Sequence, residues 1–210
     1  MNCPLCLHSV TEPYHQDKRR YSQCVQCHLV FAEPDQWLDG EAEKAVYDLH
    51  ENNPEDEGYR RFLSRVHQPL NERISANSTG LDFGCGPGPT LSVMFEESGH
   101  QVALYDVYYY SDNTPLTQQY DFITSTEVIE HLYQPAVVWQ QWLSLLKPGG
   151  WLGLMTKMVK SREAFGTWHY RHDPTHVCFY SRETFTYLAK RDGLALEFIA
   201  NDVILLRKPQ

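Results

Sequence analysis

The chain has no apolar run approaching the ~18–20 residues that a membrane span requires, and its start, Met1-Asn2-Cys3-Pro4, lacks the charged and apolar regions of a secretion signal. The expectation is a soluble, cytoplasmic protein with no membrane partner. Basic residues are also in short supply: 18 Lys and Arg face 27 Asp and Glu, a net charge of −9 over 210 residues. A sequence-independent grip on a phosphate backbone is therefore an unlikely main activity. Internal repeats and low-complexity tracts are absent, which excludes solenoid and linker-rich architectures. What is present is 42% hydrophobic residues, enough for one core of ordinary size with a small appendage. The charge is uneven: residues 41–60 hold seven acids against two bases, and residues 157–191 hold seven bases against three acids.

Cysteine is sparse, at six residues, but four of the six fall in the first 27 positions. Cys3-x-x-Cys6 and Cys24-x-x-Cys27 are separated by 17 residues, inside the ~15–20 residue interval of a four-cysteine zinc site. Each close pair suits a tight knuckle whose amides point at sulfur, and two knuckles give four thiolates around a tetrahedral ion. With four protein ligands the ion has no open position, so its role is structural. A segment of about thirty residues needs such a staple to hold itself together. Four merely buried or redox-active thiols would satisfy the composition but leave the doubled spacing unexplained.

Beyond a short strand at Leu29-Val30-Phe31, Glu33-Pro34-Asp35 ends the ribbon near residue 35. Residues 41–50 are helical by propensity, and a second helix over about Asp56 to Ile74 spaces Tyr59, Phe62, Leu63, Val66 and Leu70 by three and four, with Pro69 set to kink or shorten it. From residue 80 strands and helices alternate: strands at 80–83, 101–105, 121–126 and 151–156, helices at 90–98, 135–146 and 182–191, and a closing hairpin at 195–200 and 203–206. The pattern predicts an α/β fold, a doubly wound and mostly parallel sheet made mixed by the last hairpin, with ligands above the carboxyl ends of its strands. The expected division is a zinc ribbon over 1–35, a helical linker or lid over 36–79, and a catalytic domain over 80–210.

The first strand of that domain runs into Leu81-Asp82-Phe83-Gly84-Cys85-Gly86-Pro87-Gly88-Pro89-Thr90. Glycines at 84, 86 and 88 allow close approach of backbone to ligand, and the following helix offers free amides at its positive end. Pro89 stands where a dinucleotide fingerprint wants glycine or alanine, which weakens a pyrophosphate reading. Eighteen residues beyond Gly88, Asp106 stands at the end of the second strand, placed to accept hydrogen bonds from ribose hydroxyls. Loop and acid together indicate a nucleoside-containing ligand.

This segment resembles the first motif of class I methyltransferases that use S-adenosylmethionine. Asp121 to Leu132 resembles their fourth-strand motif, and Leu146-Lys147-Pro148-Gly149-Gly150 the turn before their fifth strand. The likeness spans about residues 80–206 and implies a Rossmann-like methyltransferase fold. It implies that Gly84, Gly86 and Gly88, with Cys85 in the same loop, line the methionine end of the cofactor. It also implies that Asp106 holds the ribose, that Thr126 and Glu127 pass under the sulfonium, and that Asp82 reaches the amino group directly or through water. Only 14 residues separate Asp106 from Asp121, too few for the helix, strand and helix that the family places there, so the adenine-bracketing residues have no counterpart to map.

Methyl transfer from a sulfonium needs alignment, exclusion of water, and a base where the nucleophile arrives protonated. Glu127, Glu130 and His131 are candidates, expected on one face of a helical turn, and His176 follows the fifth strand on the ligand side. The Glu-x-x-Glu-His spacing is also similar to that of metal-assisted O-methyltransferases, in which His172 or His176 would complete a second, divalent-metal site. Tyr47, His50 and Tyr59 lie where a lid is expected, and Tyr108 is a candidate stacking partner. Lys157, Lys160, Arg162 and Arg171 would border the acceptor entrance and favour an anionic small molecule. The expected function is S-adenosylmethionine-dependent methylation of a small-molecule acceptor. The alternatives are an RNA or protein methyltransferase that docks its substrate on the ribbon, and a non-catalytic interaction protein acting through the ribbon. Nucleic acid is the less favoured substrate, since the ribbon clusters only Lys18, Arg19 and Arg20.

Overall fold

A computed structural model describes residues 1–49 and 52–210. Two sheets organise it. The larger has six strands, β4 (Thr79–Phe83), β5 (Gln101–Tyr105), β6 (Tyr120–Thr126), β7 (Leu146–Met155), β9 (Ala195–Phe198) and β10 (Val203–Arg207), in the order β5-β4-β6-β7-β10-β9. Strands β4 to β7 pair in parallel, while β10 runs antiparallel to both β7 and β9. The closing hairpin thus makes the sheet mixed, as its sequence pattern predicts.

Alternation along the strands assigns the two faces. Phe122, Met155, Val203 and Leu205 point to one side, where they meet Leu63, Val66 and Leu70 of α2 (Glu57–Asn71) and Leu91, Met94 and Phe95 of α3 (Thr90–Glu97). Ile123, Leu152, Leu154, Ile204 and Leu206 point to the other, against Trp139, Trp142 and Leu145 of α4 (Pro135–Leu145) and Phe185 and Leu188 of α6 (Arg182–Asp192). Helix α2 sits close to the sheet because Gly153 leaves space: a Cβ there would stand 2.9 Å from Leu70 Cδ2. The helix continues through Pro69 and stops at Asn71, three residues short of the expected Ile74.

The smaller sheet begins with β1 (Thr11–Gln16), β2 (Arg20–Cys24) and β3 (Val30–Ala32), an antiparallel meander carrying the cysteine knuckles. Its fourth strand is β8 (Cys178–Phe179), which pairs antiparallel with β3. No local pattern announced that pairing, and it fuses the ribbon to the rest of the chain. Leu5, Leu29 and Phe31 share a core with Cys178, Tyr180 and Phe185, while Tyr14, Tyr21 and Val30 pack on Phe165, Tyr170 and Phe179.

Between the sheets runs α1 (Gly40–Tyr47), started by Asp39, whose carboxylate accepts from the Ala42 amide. The helix stops at Tyr47, with Asp48 as its C-cap, short of the expected residue 50; His50 and Glu51 lie outside the described residues. A short α5 (Arg162–Gly166) follows β7 and is capped by Ser161. The stretch after β5 holds a bridge between Asp106 and Tyr110 and a 3-10 turn at Thr114–Thr117, which leaves β5 as an edge strand. Among the described residues no helix is long and apolar enough to cross a membrane.

Candidate active site

The carboxyl ends of β4, β5 and β6 open into a cavity of about 770 Å³ roofed by α1 and the start of α2. At its sheet end lies the glycine loop. Gly84 and Gly86 have φ of 78° and 65°, the left-handed region that side chains resist. A Cβ on Gly84 would also strike Val128 at 2.4 Å, and one on Gly88 would stand 1.9 Å from the Asn52 carbonyl oxygen. Gly84, Cys85 and Gly86 line the cavity. Gly88 is not in its wall and instead provides the room in which Asn52 crosses the loop.

Asp82, 3% exposed, accepts a 2.8 Å hydrogen bond from the Thr124 hydroxyl. Burial pushes its carboxyl up to about 7 despite that bond, and nearby Asp106 adds to the rise. Asp106 accepts from the amides of Gly86 (3.0 Å), Tyr108 (2.8 Å) and Tyr109 (3.1 Å), which fixes the carboxylate at the rim of the glycine loop. Tyr108 uses its phenol on Glu43 Oε2 at 2.6 Å, and Tyr47 donates to Glu43 Oε1 at 2.9 Å. The Tyr47 bond lies within α1, and the Tyr108 bond ties α1 to the segment after β5 through the same buried carboxylate. Tyr47 and Tyr59 of the expected lid line the cavity; His50 is outside the described residues.

The far end is built on the turn after β6. Glu127 adopts φ 53°, and a single 3-10 turn, Ile129–His131, replaces the expected α-helical turn. Glu127 and Glu130 still meet, because Tyr170 reaches both from the segment after α5. Its phenol donates to Glu130 Oε1 and lies 3.3 Å from Glu127 Oε2. Glu130 is fully buried, and burial together with the Glu127 charge raises its carboxyl to about 8; burial raises Glu127 to about 7. Glu127 Oε1 and Glu130 Oε2 are buried and make no hydrogen bond among the described residues. His131 and His176 stand with ring centroids 4.6 Å apart, His131 Nδ1 beside the Thr175 carbonyl and His176 Nδ1 at 2.6 Å from the Tyr170 carbonyl. Thr126, Glu127, His131 and His176 all line the cavity.

Glu130, His131 and His176 each offer a ligand atom within 4.8 Å of the others. His172, the other histidine considered for that role, is exposed and not in the group. Lys157, Lys160, Arg162 and Arg171 do not line the cavity, so the expected basic rim is not formed there. Arg171 is buried on the ribbon side, where it donates to Asp17 at 2.6 Å and to the carbonyls of Phe165 and Gly166. Tyr170, Glu43 and Arg19 escaped sequence reasoning, since nothing local marks them. Arg19 donates from the β1–β2 turn to the carbonyls of Asp173 (3.2 Å) and His176 (3.0 Å).

The cysteine knuckles repeat each other. Cys3 and Cys24 donate amides to the carbonyls of His8 and Leu29, Leu7 and His28 donate back to Cys3 and Cys24, and Leu7 and His28 both take left-handed φ, 63° and 58°. Four free sulfurs result, all within 4.8 Å of one another, with Cys3–Cys27 at 3.5 Å and Cys6–Cys24 at 3.4 Å. A tetrahedral ion with bonds of ~2.3 Å to sulfur needs edges of about 3.8 Å, so the donor set fits zinc with a small expansion.

A doubly wound sheet with a glycine loop after its first strand, an acid after its second and a cavity over both defines a Rossmann-like methyltransferase fold. A methyltransferase-domain family matches residues 55–197, and the chain belongs to it. Among curated proteins it is similar to the ubiquinone biosynthesis O-methyltransferase of Serratia proteamaculans, 37% identical over 78 residues, which covers 37% of this chain and 32% of that protein. The Shewanella pealeana protein of the same name is 32% identical over 84 residues, covering 40% and 36%. The chain therefore aligns with only about a third of the length of these relatives. Among solved structures, 1,6-didemethyltoxoflavin-N1-methyltransferase of Burkholderia thailandensis, with bound 1,6-didemethyltoxoflavin and S-adenosylhomocysteine, has a TM-score of 0.54 at 14% identity, covering 95% of this chain and all of that one. That likeness concerns the fold.

Proposed function

We propose that this chain transfers the methyl group of S-adenosylmethionine to a hydroxyl oxygen of a small molecule, with Cys3, Cys6, Cys24 and Cys27 holding a structural zinc ion. The observation that carries the reading is one cavity with two chemically distinct ends: glycine loop, Asp82 and Asp106 at one, Glu127, His131 and His176 at the other. The cofactor supplies a methyl group activated by a sulfonium. Gly84, Cys85 and Gly86 would let its methionine portion approach the backbone, Asp82 would hold the ammonium, Asp106 the ribose, and Thr126 and Glu127 would border the sulfonium.

His131, whose Nδ1 donates to the Thr175 carbonyl at 3.2 Å, accepts the proton of the attacking hydroxyl on Nε2, and the His176 ring packs edge-on against it. Tyr170 keeps Glu130 and Glu127 in place beneath them. The roof from α1 excludes water. The O-methyltransferase names of the curated relatives support oxygen as the nucleophile.

A second reading of the same residues is favoured by the two unbonded buried oxygens, Glu127 Oε1 and Glu130 Oε2. Glu130, with His131 and His176, would hold a divalent ion that positions two acceptor oxygens, and Glu127 would stand beside it. Metal analysis separates the two: one ion per chain supports the base, two support the metal.

Calorimetry with S-adenosylmethionine, followed by incubation of the protein with labelled cofactor and a metabolite extract, tests the function. Failure to bind at millimolar cofactor would leave only a ribbon-mediated interaction protein. Label recovered in RNA or protein would shift the substrate class instead.

A further inference from the structure

Among the described residues that line the cavity there are carboxylates and no lysine or arginine: Glu43, Asp82, Asp106, Glu127 and Asp173 face it. The basic residues of the 157–171 segment are not in its wall: Arg171 is on Asp17 and Arg162 over the Tyr14 ring at 5.7 Å, while Lys157, over the Tyr170 ring at 5.0 Å, offsets part of the Glu127 charge from behind that ring.

S-adenosylmethionine carries two positive groups and one carboxylate, so its ammonium would answer part of this charge at Asp82 and its sulfonium part of it at Glu127. At the acceptor end Glu43 and Asp173 remain. Glu43, 7% exposed, accepts from phenols, those of Tyr47 and Tyr108 at 2.9 and 2.6 Å, with Tyr133 beside them. Asp173 takes the amide and hydroxyl of Thr175 at 2.9 and 2.5 Å and lies 3.8 Å from His176 Nε2. Aromatic rings complete this end: Tyr47 stands edge-on to His131 with centroids 5.3 Å apart, and Tyr133 stacks on Trp37 at 4.9 Å. A divalent ion on Glu130, His131 and His176 would be balanced by Glu130 and the neighbouring Glu127 and leave Glu43 as it is.

An anion entering such a space loses its water and meets repulsion with no compensating cation. A protonated amine gains carboxylates and ring faces, and a flat ring gains the tyrosines. We infer that the acceptor is an aromatic hydroxyl compound bearing an ammonium group, and that carboxylated and phosphorylated acceptors are rejected. The inference rests on the methyl-transfer reading above and reverses the expectation of an anionic acceptor.

Three catechols of equal size, with aminoethyl, ethyl and carboxyethyl side chains, are titrated calorimetrically into protein saturated with S-adenosylhomocysteine. The amine is expected to bind tightest and the carboxylate weakest, with about a tenfold gap between them, equivalent to about 1.4 kcal/mol. Glu43→Gln and, separately, Asp173→Asn should narrow that gap. A carboxylate that binds as tightly as the amine overturns the inference. The labelled products of the metabolite extract give an answer independent of scaffold. Label retained on a cation exchanger supports the inference, and label retained on an anion exchanger overturns it. A protein that binds S-adenosylhomocysteine yet labels no small molecule sinks the methyl-transfer reading, and this inference with it.

Discussion

With zinc on the four cysteines as proposed, stripping it should unfold far more than the ribbon. Leu5, Tyr21, Leu29, Val30 and Phe31 are all at most 2% exposed, and their neighbours include Phe165, Tyr170, Cys178, Phe179, Tyr180 and Phe185 from beyond residue 160. Full burial of such side chains contributes ~1.5–3 kcal/mol each, so the shared interface amounts to about 10 kcal/mol, an upper figure because unfolded chains already bury some apolar surface. The whole stability of a domain is about 5–15 kcal/mol. Losing even half of the interface, about 5 kcal/mol, corresponds to a fall of about 10–20 °C in Tm for a chain of this size. The β3–β8 ladder and the Arg19 and Arg171 bonds go with it. The assay is differential scanning calorimetry of the protein, of the protein with chelator and of Cys24→Ser, each with and without S-adenosylhomocysteine. One cooperative transition, lowered by 10 °C or more on metal loss, is expected. Two transitions, with the larger at its original temperature and ligand stabilisation intact, would refute the reasoning and make the ribbon an independent module.

Asp82 gives a pH signature. Its carboxyl rises from the ordinary 3.8 to about 7, so the folded chain keeps a proton that the unfolded chain releases, and stability falls as pH rises between those values. An ammonium beside Asp82 favours the ionised form, so affinity for S-adenosylhomocysteine should strengthen up to about pH 7 and then level off. Asp82→Asn should flatten both profiles, and an unchanged binding slope in that variant would remove Asp82 from the cofactor site. Gly88→Ala drives a Cβ to 1.9 Å from the Asn52 carbonyl and should cost about 1–3 kcal/mol of stability through a forced backbone shift, measurable by urea unfolding. Arg19→Ala removes two hydrogen bonds to the loop of His176, at about 1.5–3 kcal/mol each as charged donors. It should impair methyl transfer while cofactor affinity stays within about twofold, with partial rescue by Arg19→Lys; equal losses in both would mark Arg19 as purely structural.

Much of this molecule is written in short-range pattern. The period of two in residues such as Phe122 and Ile123, the period of three to four in Leu63, Val66 and Leu70, and the glycines after β4 are local consequences of backbone geometry. Both sheet faces and the glycine-loop end of the cavity were therefore readable from the chain. The paired C-x-x-C knuckles are equally local, down to the left-handed residues that close each of them. The acceptor end was readable only in its ingredients. Glu127, Glu130 and His131 were visible as a motif, but the left-handed Glu127 and the 3-10 turn that aim them were not.

By itself, then, the amino-acid sequence determined the order and faces of the elements, the metal-binding knuckles and the glycine loop, because each depends on residues within a few positions of one another. Tertiary structure alone decided that β3 joins β8, that Tyr170 closes over two carboxylates, and that Arg19 reaches the loop of His176, contacts spanning 40 or more residues along the chain. It also decided the sign of the cavity. The lysines and arginines that composition placed near the acceptor turn outward to the ribbon and to tyrosine rings, and a charge acts from where its side chain points rather than from its place in the sequence.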